Sequence, residues 1–383
     1  MIYYPLLTVV IATKDREKFC IEAIKSILNI SADLIQIAIA DNSKSEEIKV
    51  YVESNPSDYI SYYYDNSEIS AIENFNRAMD LAVGEYVCMI GDDDTVLPNI
   101  LNIVHWARVN KIDSICSTNT IAYYWPGASE LGPTGMLDVP IFEPKIYGVD
   151  VEKELKKLIK SGIVNYLLYP LPKIYHGIVK RQLLLEIKAR TGNYFGGLSP
   201  DIYSTITISC IVGNHFATTV PFSIAGACPK SSTVESIAGK HCGSLKDMPH
   251  LRNRGAYMWE EQIPEYYSVP TLWAESGLKA IKDLGKGDLH KQFNIYPLIA
   301  QGIIHNRKTI LPLVIEKTNE WAVKHHKFIP FFYFQIFLQF INLTLRKLKS
   351  KPYSARKVFK DVTTIEQAVQ IIERYDKIAT IFE

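Results

Sequence analysis

Four short apolar runs alternate with helix-patterned segments through the first hundred residues, and this alternation constrains the fold more than any other feature. The runs from Leu6 to Ala12, Leu34 to Ala40, Tyr59 to Tyr64 and Glu85 to Ile90 are rich in strand formers and bounded by polar residues or glycine. Between the first two, Phe19, Ala23, Ile24 and Ile27 recur at helical spacing. A polar helix over 45–53 and another over 69–82 fill the next intervals. Strands alternating with helices specify a mostly parallel α/β sheet with right-handed crossovers and helices on its faces.

Parallel strands bring their carboxyl ends to one edge, where ligands of open α/β sheets bind. Asp15 follows the first run, Asp41 ends the second, and Asp92, Asp93 and Asp94 follow the fourth. Three adjacent carboxylates repel one another, and burying them is costly without a compensating positive charge. Hard oxygen ligands suit Mg²⁺ or Mn²⁺. A second reading stays open here: a solvated acidic turn, with Asp94 or Thr95 capping a helix that starts near Pro98.

The balance of the chain excludes several classes. It has 383 residues, enough for two or three domains, with 47% hydrophobic and 22% charged residues. A net charge of +1 gives no support for nucleic-acid binding. None of the six cysteines forms a CxxC pair, which removes zinc and thioredoxin-like readings. Four of the six sit in apolar runs as small core residues, which fits a reducing, cytoplasmic location. No signal-peptide pattern opens the sequence, and no run of eighteen apolar residues occurs.

Five ordered stretches carry a resemblance: Val9-Val10-Ile11-Ala12-Thr13-Lys14-Asp15-Arg16, Ile39-Ala40-Asp41-Asn42-Ser43, Asn74-Phe75-Asn76-Arg77-Ala78, Gly84-Glu85-Tyr86-Val87, and Gly91-Asp92-Asp93-Asp94 with Pro98. Together they resemble the family 2 glycosyltransferases of the GT-A fold, closely over about the first 120 residues and more loosely to about residue 235. The resemblance implies an inverting hexosyltransferase-type enzyme that uses a nucleoside diphosphate sugar, a glycan or lipid-linked acceptor, and Mn²⁺ or Mg²⁺, in bacterial surface polysaccharide synthesis. It places Thr13, Asp15, Arg16 and Asp41 at the donor's base and ribose. Asn76 and Arg77 join the donor-binding set, with Arg77 reaching a phosphate. For the helix that carries them, capping by Ser67 or Ser70 with the amides bonded to nearby loops is the structural alternative. Gly91 stands where the family pattern has its first aspartate, so Asp93 falls on the metal-ligating position, with Asp92 toward the ribose. Asp94 and the late His241 complete the implied metal set. Asp201, after Ser199-Pro200, matches the region of the family's catalytic base. The alternative for Asp201 is a helix-capping carboxylate, and its place near the positive end of a helix dipole predicts a low pKa.

Two other functions were open to such a sheet. A sugar-1-phosphate nucleotidyltransferase would need a glycine-rich loop after the first strand, and Thr13-Lys14-Asp15-Arg16 has no glycine. A catalytically silent glycan-binding or assembly protein is the other, prompted by Gly91.

The remaining chain divides as a GT-A domain over 1–240, with an insertion over about 125–170, and a helical region over 245–383. Tyr166, Tyr169 and Tyr175 are candidates for an acceptor groove, with core packing as the alternative. Lys230 and Lys240 are candidate phosphate partners. Helices are expected over 257–265, 271–284, 296–304, 311–326 and 365–378. Phe328 to Leu345 is dense in aromatics, and Arg346, Lys347, Lys349, Lys351, Arg356, Lys357 and Lys360 come after it with no acid between them. Peripheral contact with the inner face of the cytoplasmic membrane is one expectation for this segment; the core of the helical region, or a homo-oligomer interface, is the other.

Overall fold

The computed structural model describes the chain except for residues 1–4, 31–33, 232–233, 235–238, 240, 256, 350–354, 375–381 and 383; Lys240 and Lys351 therefore lie outside the described residues. The expected alternation is present as β1 (Leu7–Thr13), α1 (Glu17–Leu28), β2 (Ile35–Asp41), α2 (Glu47–Ser54), β3 (Ile60–Tyr64), α3 (Ala71–Asp80) and β4 (Tyr86–Ile90). β1 pairs in parallel with β2 and β4, and β2 with β3. β2 and β4 are buried throughout, which is why their apolar runs do not alternate with polar residues. Leu7, Val9 and Ile11 face a core shared with Ile24 and Ile27 of α1. Val10, Ala38 and Ala40 face a second core with Met79 of α3. A fully buried aliphatic side chain of this kind contributes about 1.5–3 kcal/mol. α3 starts where the Ser70 hydroxyl accepts the Glu73 N–H, the cap expected from the sequence.

After the acidic turn come β5 (Thr95–Val96), α4 (Ile100–Val109), β6 (Ser114–Ser117), β7 (Ile121–Tyr124), β8 (Met136–Pro140), β9 (Ile146–Gly148), α5 (Val151–Lys160), β10 (Gly177–Lys180), α6 (Arg181–Thr191), α7 (Pro200–Ser209), β11 (His215–Thr218) and β12 (Ser223–Ala227). The main sheet runs β3-β2-β1-β4-β10-β6-β11-β9. Thr95 and Val96 do not cap a helix. They form β5 and pair with Ile224 and Ser223, and the helix cap moves on to Asn99. The acidic turn thus leads into a second sheet.

In the helical region, the expected helix over 257–265 is absent. Pro264 cannot donate to a helical ladder, and the Trp259 indole takes the Ile263 carbonyl instead. α8 (Val269–Asp283), α9 (Gly287–His290), α10 (Ile295–Asn306), α11 (Leu311–Lys324) and α12 (Ile329–Lys349) complete this part. α12 runs unbroken because Pro330 falls in its first turn. A core of Leu158, Ile206, Leu278, Leu298 and Ile336 joins α5, α7, α8, α10 and α12. The basic stretch after α12 is not one tail. Residues 356–360 form β13 (Arg356–Lys360), antiparallel to β8 at the edge of the second sheet, ordered β13-β8-β7-β12-β5. α13 (Ile365–Glu373) then returns Ile365, Ala368 and Ile372 to the first core. Residues 375–378 of the expected last helix lie outside the described residues. No helix among the described residues is long and apolar enough to cross a membrane.

Candidate active site

The carboxyl ends of β1, β2 and β4 meet at one edge, with Thr13 registered against Asp41 and the turn Gly91–Asp94 beside them. Each aspartate of the turn is buried and each has a different set of partners. Asp92 Oδ2 accepts the Thr13 hydroxyl at 2.8 Å, and its Oδ1 lies 2.9 Å from Arg16 Nη2. Asp93 Oδ2 accepts the Cys228 N–H at 2.8 Å, while its Oδ1 has only Arg16 Nη1 at 3.6 Å. Asp94 Oδ1 accepts the Gly226 N–H at 2.6 Å. Its Oδ2 accepts the Gly91 N–H at 2.6 Å and the Tyr175 hydroxyl at 3.2 Å, and lies 3.0 Å from His176 Nε2.

These partners separate the three chemically. Burial pushes the Asp92 carboxyl up to about 7, against the pull of Arg16. Burial and the Asp94 charge also raise Asp93. Burial opposes the charge on Asp94 too, but His176 and the Gly91 and Gly226 N–H groups outweigh it and hold Asp94 below the usual range. Burial works against the charge on Arg16, yet Asp92 and Asp93 keep it firmly protonated. Two of the six carboxylate oxygens in the turn face Arg16: Asp92 Oδ1, which is buried with no hydrogen bond of its own, and Asp93 Oδ1, farther off at 3.6 Å. Asp94, expected as a metal ligand, has both oxygens engaged by protein groups.

Two glycines make this packing feasible. A side chain at Gly91 would sit 2.6 Å from the Tyr175 hydroxyl and 2.9 Å from Asp94 Oδ2. The space of the family pattern's first aspartate is thus occupied. A Cβ at Gly226 would lie 1.7 Å from the Asp93 carbonyl oxygen, which also accepts the Trp125 indole N–H at 2.9 Å. β12 therefore touches the acidic turn backbone to backbone.

The other expected residues spread along the same edge. Asp41 is buried, its oxygens accepting the Ser43 N–H at 2.8 Å and the Tyr62 hydroxyl at 2.7 Å. Asp15 takes a left-handed backbone (φ 54°), donates its N–H to Ser43 Oγ and accepts the Lys44 N–H. Asn74 donates to the carbonyls of Thr13 and Ala40, both at 3.1 Å, and so ties the strand ends together. Asn76 turns to a different task. Its oxygen accepts the Tyr194 and Phe195 N–H groups and its amide donates to the Phe195 carbonyl, so it holds the loop before α7. Arg77 pairs with Asp65 and Glu73, which engages its guanidinium locally.

Asp201 lies in the first turn of α7. The low pKa expected there is overturned: burial pushes it up to about 6, with His176 pulling it down and Asp94 pushing it up. Ser199 does not cap α7 through its side chain; its N–H and that of Leu198 donate to Ser276 Oγ of α8 at 2.9 and 2.8 Å. His241 packs its ring against His250 and Tyr267, with centroids 5.2 and 5.0 Å away. Among the described residues, no three of His, Cys, Asp and Glu gather as a ligand set, so His241 is not drawn together with Asp93 and Asp94 in one.

Sequence reasoning missed His176. It sits just before β10 with φ 54°, its Nδ1 2.9 Å from Ser223 Oγ and its Nε2 on Asp94. A histidine in an apolar run was the only local signal. A cavity of about 590 Å³ opens at the opposite, amino edge of the sheet, lined by Leu6, Leu34, Glu85 and Arg181 among others, away from this chemistry.

Residues 8–128 match the sequence profile of Glycosyl transferase family 2. Over 101 residues the chain is 32% identical to WcaA of Escherichia coli (strain K12), named for glycosyl transfer in colanic acid biosynthesis; this covers 26% of the chain and 36% of that protein. It is 32% identical, over the same length, to a Campylobacter jejuni GalNAc(5)-diNAcBac-PP-undecaprenol beta-1,3-glucosyltransferase, covering 26% of the chain and 33% of that protein. The matches span about a third of the length of these relatives. Among solved structures, S. aureus TarS 1-349 in complex with UDP-GlcNAc aligns over 84% of this chain and 92% of that one, with 13% identity and a TM-score of 0.45.

Proposed function

We propose that this chain, whose residues 8–128 belong to glycosyl transferase family 2, moves a sugar from a nucleoside diphosphate donor to a hydroxyl of a glycan or lipid-linked saccharide, with inversion. The observation that carries the proposal is the acidic turn. Three buried carboxylates are braced from three sides, with two oxygens, Asp92 Oδ1 and Asp93 Oδ1, turned to a permanently charged Arg16. The relatives' names, colanic acid biosynthesis and an undecaprenol-linked glycan, support a bacterial surface saccharide as acceptor. The proposed division of labour gives donor binding to residues 1–240 and an acceptor or membrane contact to 245–383.

Among the described residues no three ligands gather, and Asp93 is the carboxylate assigned here to Mn²⁺ or Mg²⁺. Asp93 Oδ1 is a hard ligand, and burial together with the neighbouring carboxylates raises Asp92 and Asp93, a cost that a cation would relieve. Asp93 would hold the ion, which when bound supplies Lewis-acid neutralisation of the leaving diphosphate. Arg16 adds a second positive charge on the same side, with Thr13, Asp15 and Asp41 lining the nucleotide's edge. Asp201 is the base. As the acceptor oxygen bonds to the anomeric carbon, its proton passes to the Asp201 carboxylate, and the donor's carbon–oxygen bond breaks with its electron pair leaving on the diphosphate. A pKa near 6 leaves Asp201 mostly ionised at neutral pH yet more basic than an exposed aspartate. The six unpaired cysteines fit a cytoplasmic location.

Titration calorimetry of nucleoside diphosphate sugars with and without Mn²⁺ tests the reading. The wild type binds its donor in a Mn²⁺-dependent way, and Asp93→Ala loses that dependence while keeping its fold. Mn²⁺-dependent affinity unchanged in Asp93→Ala overturns the assignment.

A further inference from the structure

α12 has two unlike faces. Phe332 and Ile336 are buried against the helical core, with Phe340 and Leu343 partly buried beside them. On the outward side, Phe328, Phe331, Phe334, Phe337, Ile341 and Leu345 are exposed, Phe328 by 74% and the next three by more than half. Their spacing of three or four residues makes one continuous stripe, which at 1.5 Å per residue is about 26 Å long. Isolated exposed apolar residues need no explanation, but a contiguous stripe of six does.

The charges around the stripe identify its occupant. No aspartate or glutamate occurs between Glu320 and Asp361, while Lys324 and Lys327 precede the stripe and Arg346, Lys347 and Lys349 come after it. A second copy of the chain would set cations against cations at both ends of an antiparallel pairing. It would find no acidic partners at the flanking positions that fix a helical pair, and the stripe covers only about two heptads, short of a sustained seam. An anionic bilayer meets both features, because its acyl boundary takes the aromatics and its headgroups take the cations.

We propose that the outward face of α12 is a docking surface for an anionic lipid bilayer, with the helix lying in the interface plane. The inference rests on the proposed lipid-linked acceptor for its purpose, while the contact itself follows from the stripe and its flanking cations. Docking would hold the transferase beside an acceptor that diffuses in two dimensions.

The full chain is sedimented with phosphatidylcholine vesicles containing or lacking phosphatidylglycerol, at low and high salt. The wild type pellets with the anionic vesicles at low salt and is released as salt rises. Phe331→Ser/Phe334→Ser/Phe337→Ser, all at exposed positions, stays in the supernatant with an unchanged melting temperature and unchanged donor binding. Arg346→Gln/Lys347→Gln weakens vesicle affinity about 30-fold, from about 1 kcal/mol per cation near anionic lipid. A wild type that stays in the supernatant, or a triple variant that only dissociates an oligomer, overturns the proposal. Donor calorimetry on the same samples separates this failure from a failure of the transferase reading.

Discussion

Asp94→Asn distinguishes a buttress from a metal ligand. The amide has the shape of the carboxylate, but one oxygen becomes a donor. Placed at the Oδ1 site it faces the Gly226 N–H across 2.6 Å; placed at the Oδ2 site it faces the Gly91 N–H across 2.6 Å. Either way a buried backbone N–H loses its acceptor, which costs about 1–3 kcal/mol, and the remaining bonds lose their charge assistance. The total is about 3 kcal/mol, less a part returned by relieved repulsion with Asp93. Unfolding entropy of about 2.1 cal/mol/K per residue gives about 0.8 kcal/mol/K for 383 residues, so the expected fall in Tm is about 4 °C. The assay is calorimetric melting at neutral pH with a chelator present. Because the Asp94 pKa is lowered on folding, its stabilisation is present above the unfolded value of 3.8 and is lost as pH falls through the lower folded value. The gap between wild type and variant therefore closes in acid. A carboxylate kept only for a metal would behave in the opposite way: removing one of three repelling charges would raise the Tm of the metal-free protein. An unchanged or higher Tm refutes the buttress.

Asp92 and Glu275, both raised to about 7 by burial, make the metal-free protein gain stability as pH falls from about 8 to about 6.5. Below that, His215 and His250, held down near 4, oppose the gain; a melting temperature that is flat or falling over the upper window contradicts the assignment. Asp201→Asn lowers kcat by about 10²-fold or more with donor binding unchanged, and removes an acid limb near pH 6 from the rate profile. Near-normal turnover on the true acceptor would move the base elsewhere. Gly91→Ala destabilises by about 1–3 kcal/mol through its clash with the Tyr175 hydroxyl, and Tyr175→Phe in the same chain recovers part of that loss in denaturant melts. Additive costs would show that the hydroxyl is not what fills the space.

The edge that carries the site was legible because it arises from local patterns. Parallel strands buried on both faces read as unbroken apolar runs, and the residues just after each run must lie at the same edge. The same logic found Asp15, Asp41 and the acidic turn. It could not rank Asp92, Asp93 and Asp94, since three identical neighbours differ only in what reaches them from afar. The Gly226 and Cys228 N–H groups arrive from more than 130 positions away, and they decide which carboxylate is satisfied and which is open. His176 escaped notice for a related reason: its left-handed backbone, which turns it onto Asp94, is uncommon for any residue with a side chain, and histidine's enrichment there does not single out one position. The dipole argument for Asp201 was sound locally and lost to burial, which a sequence does not display. Thr95 and residues 356–360 joined a second sheet through partners remote in the chain, so their local patterns misled.

The helical region belongs to the site more than its position in the chain suggests. The turn before α7 is clamped to α8. Gly197 has φ 59°, and a Cβ there would lie 2.8 Å from the Ser276 backbone, so the two chain segments meet without a side chain between them. Ser276 Oγ accepts two consecutive N–H groups, from Leu198 and Ser199, and Arg254 donates to the Gly197 carbonyl. The start of α7, and with it the carboxylate of Asp201, is therefore fixed by residues of 245–283 and not by the sheet alone. From the other side, Asn76 of α3 holds Tyr194 and Phe195, the residues that enter the same turn. Donor edge and helical region thus converge on one short loop. The acidic turn is braced by β1, Arg16, β12 and the residues just before β10, whereas the start of α7 is positioned by the grip of α3 and α8 on residues 194–199. Under the proposed function, donor binding and turnover would draw on different parts of the chain, joined at the glycines before Asp201.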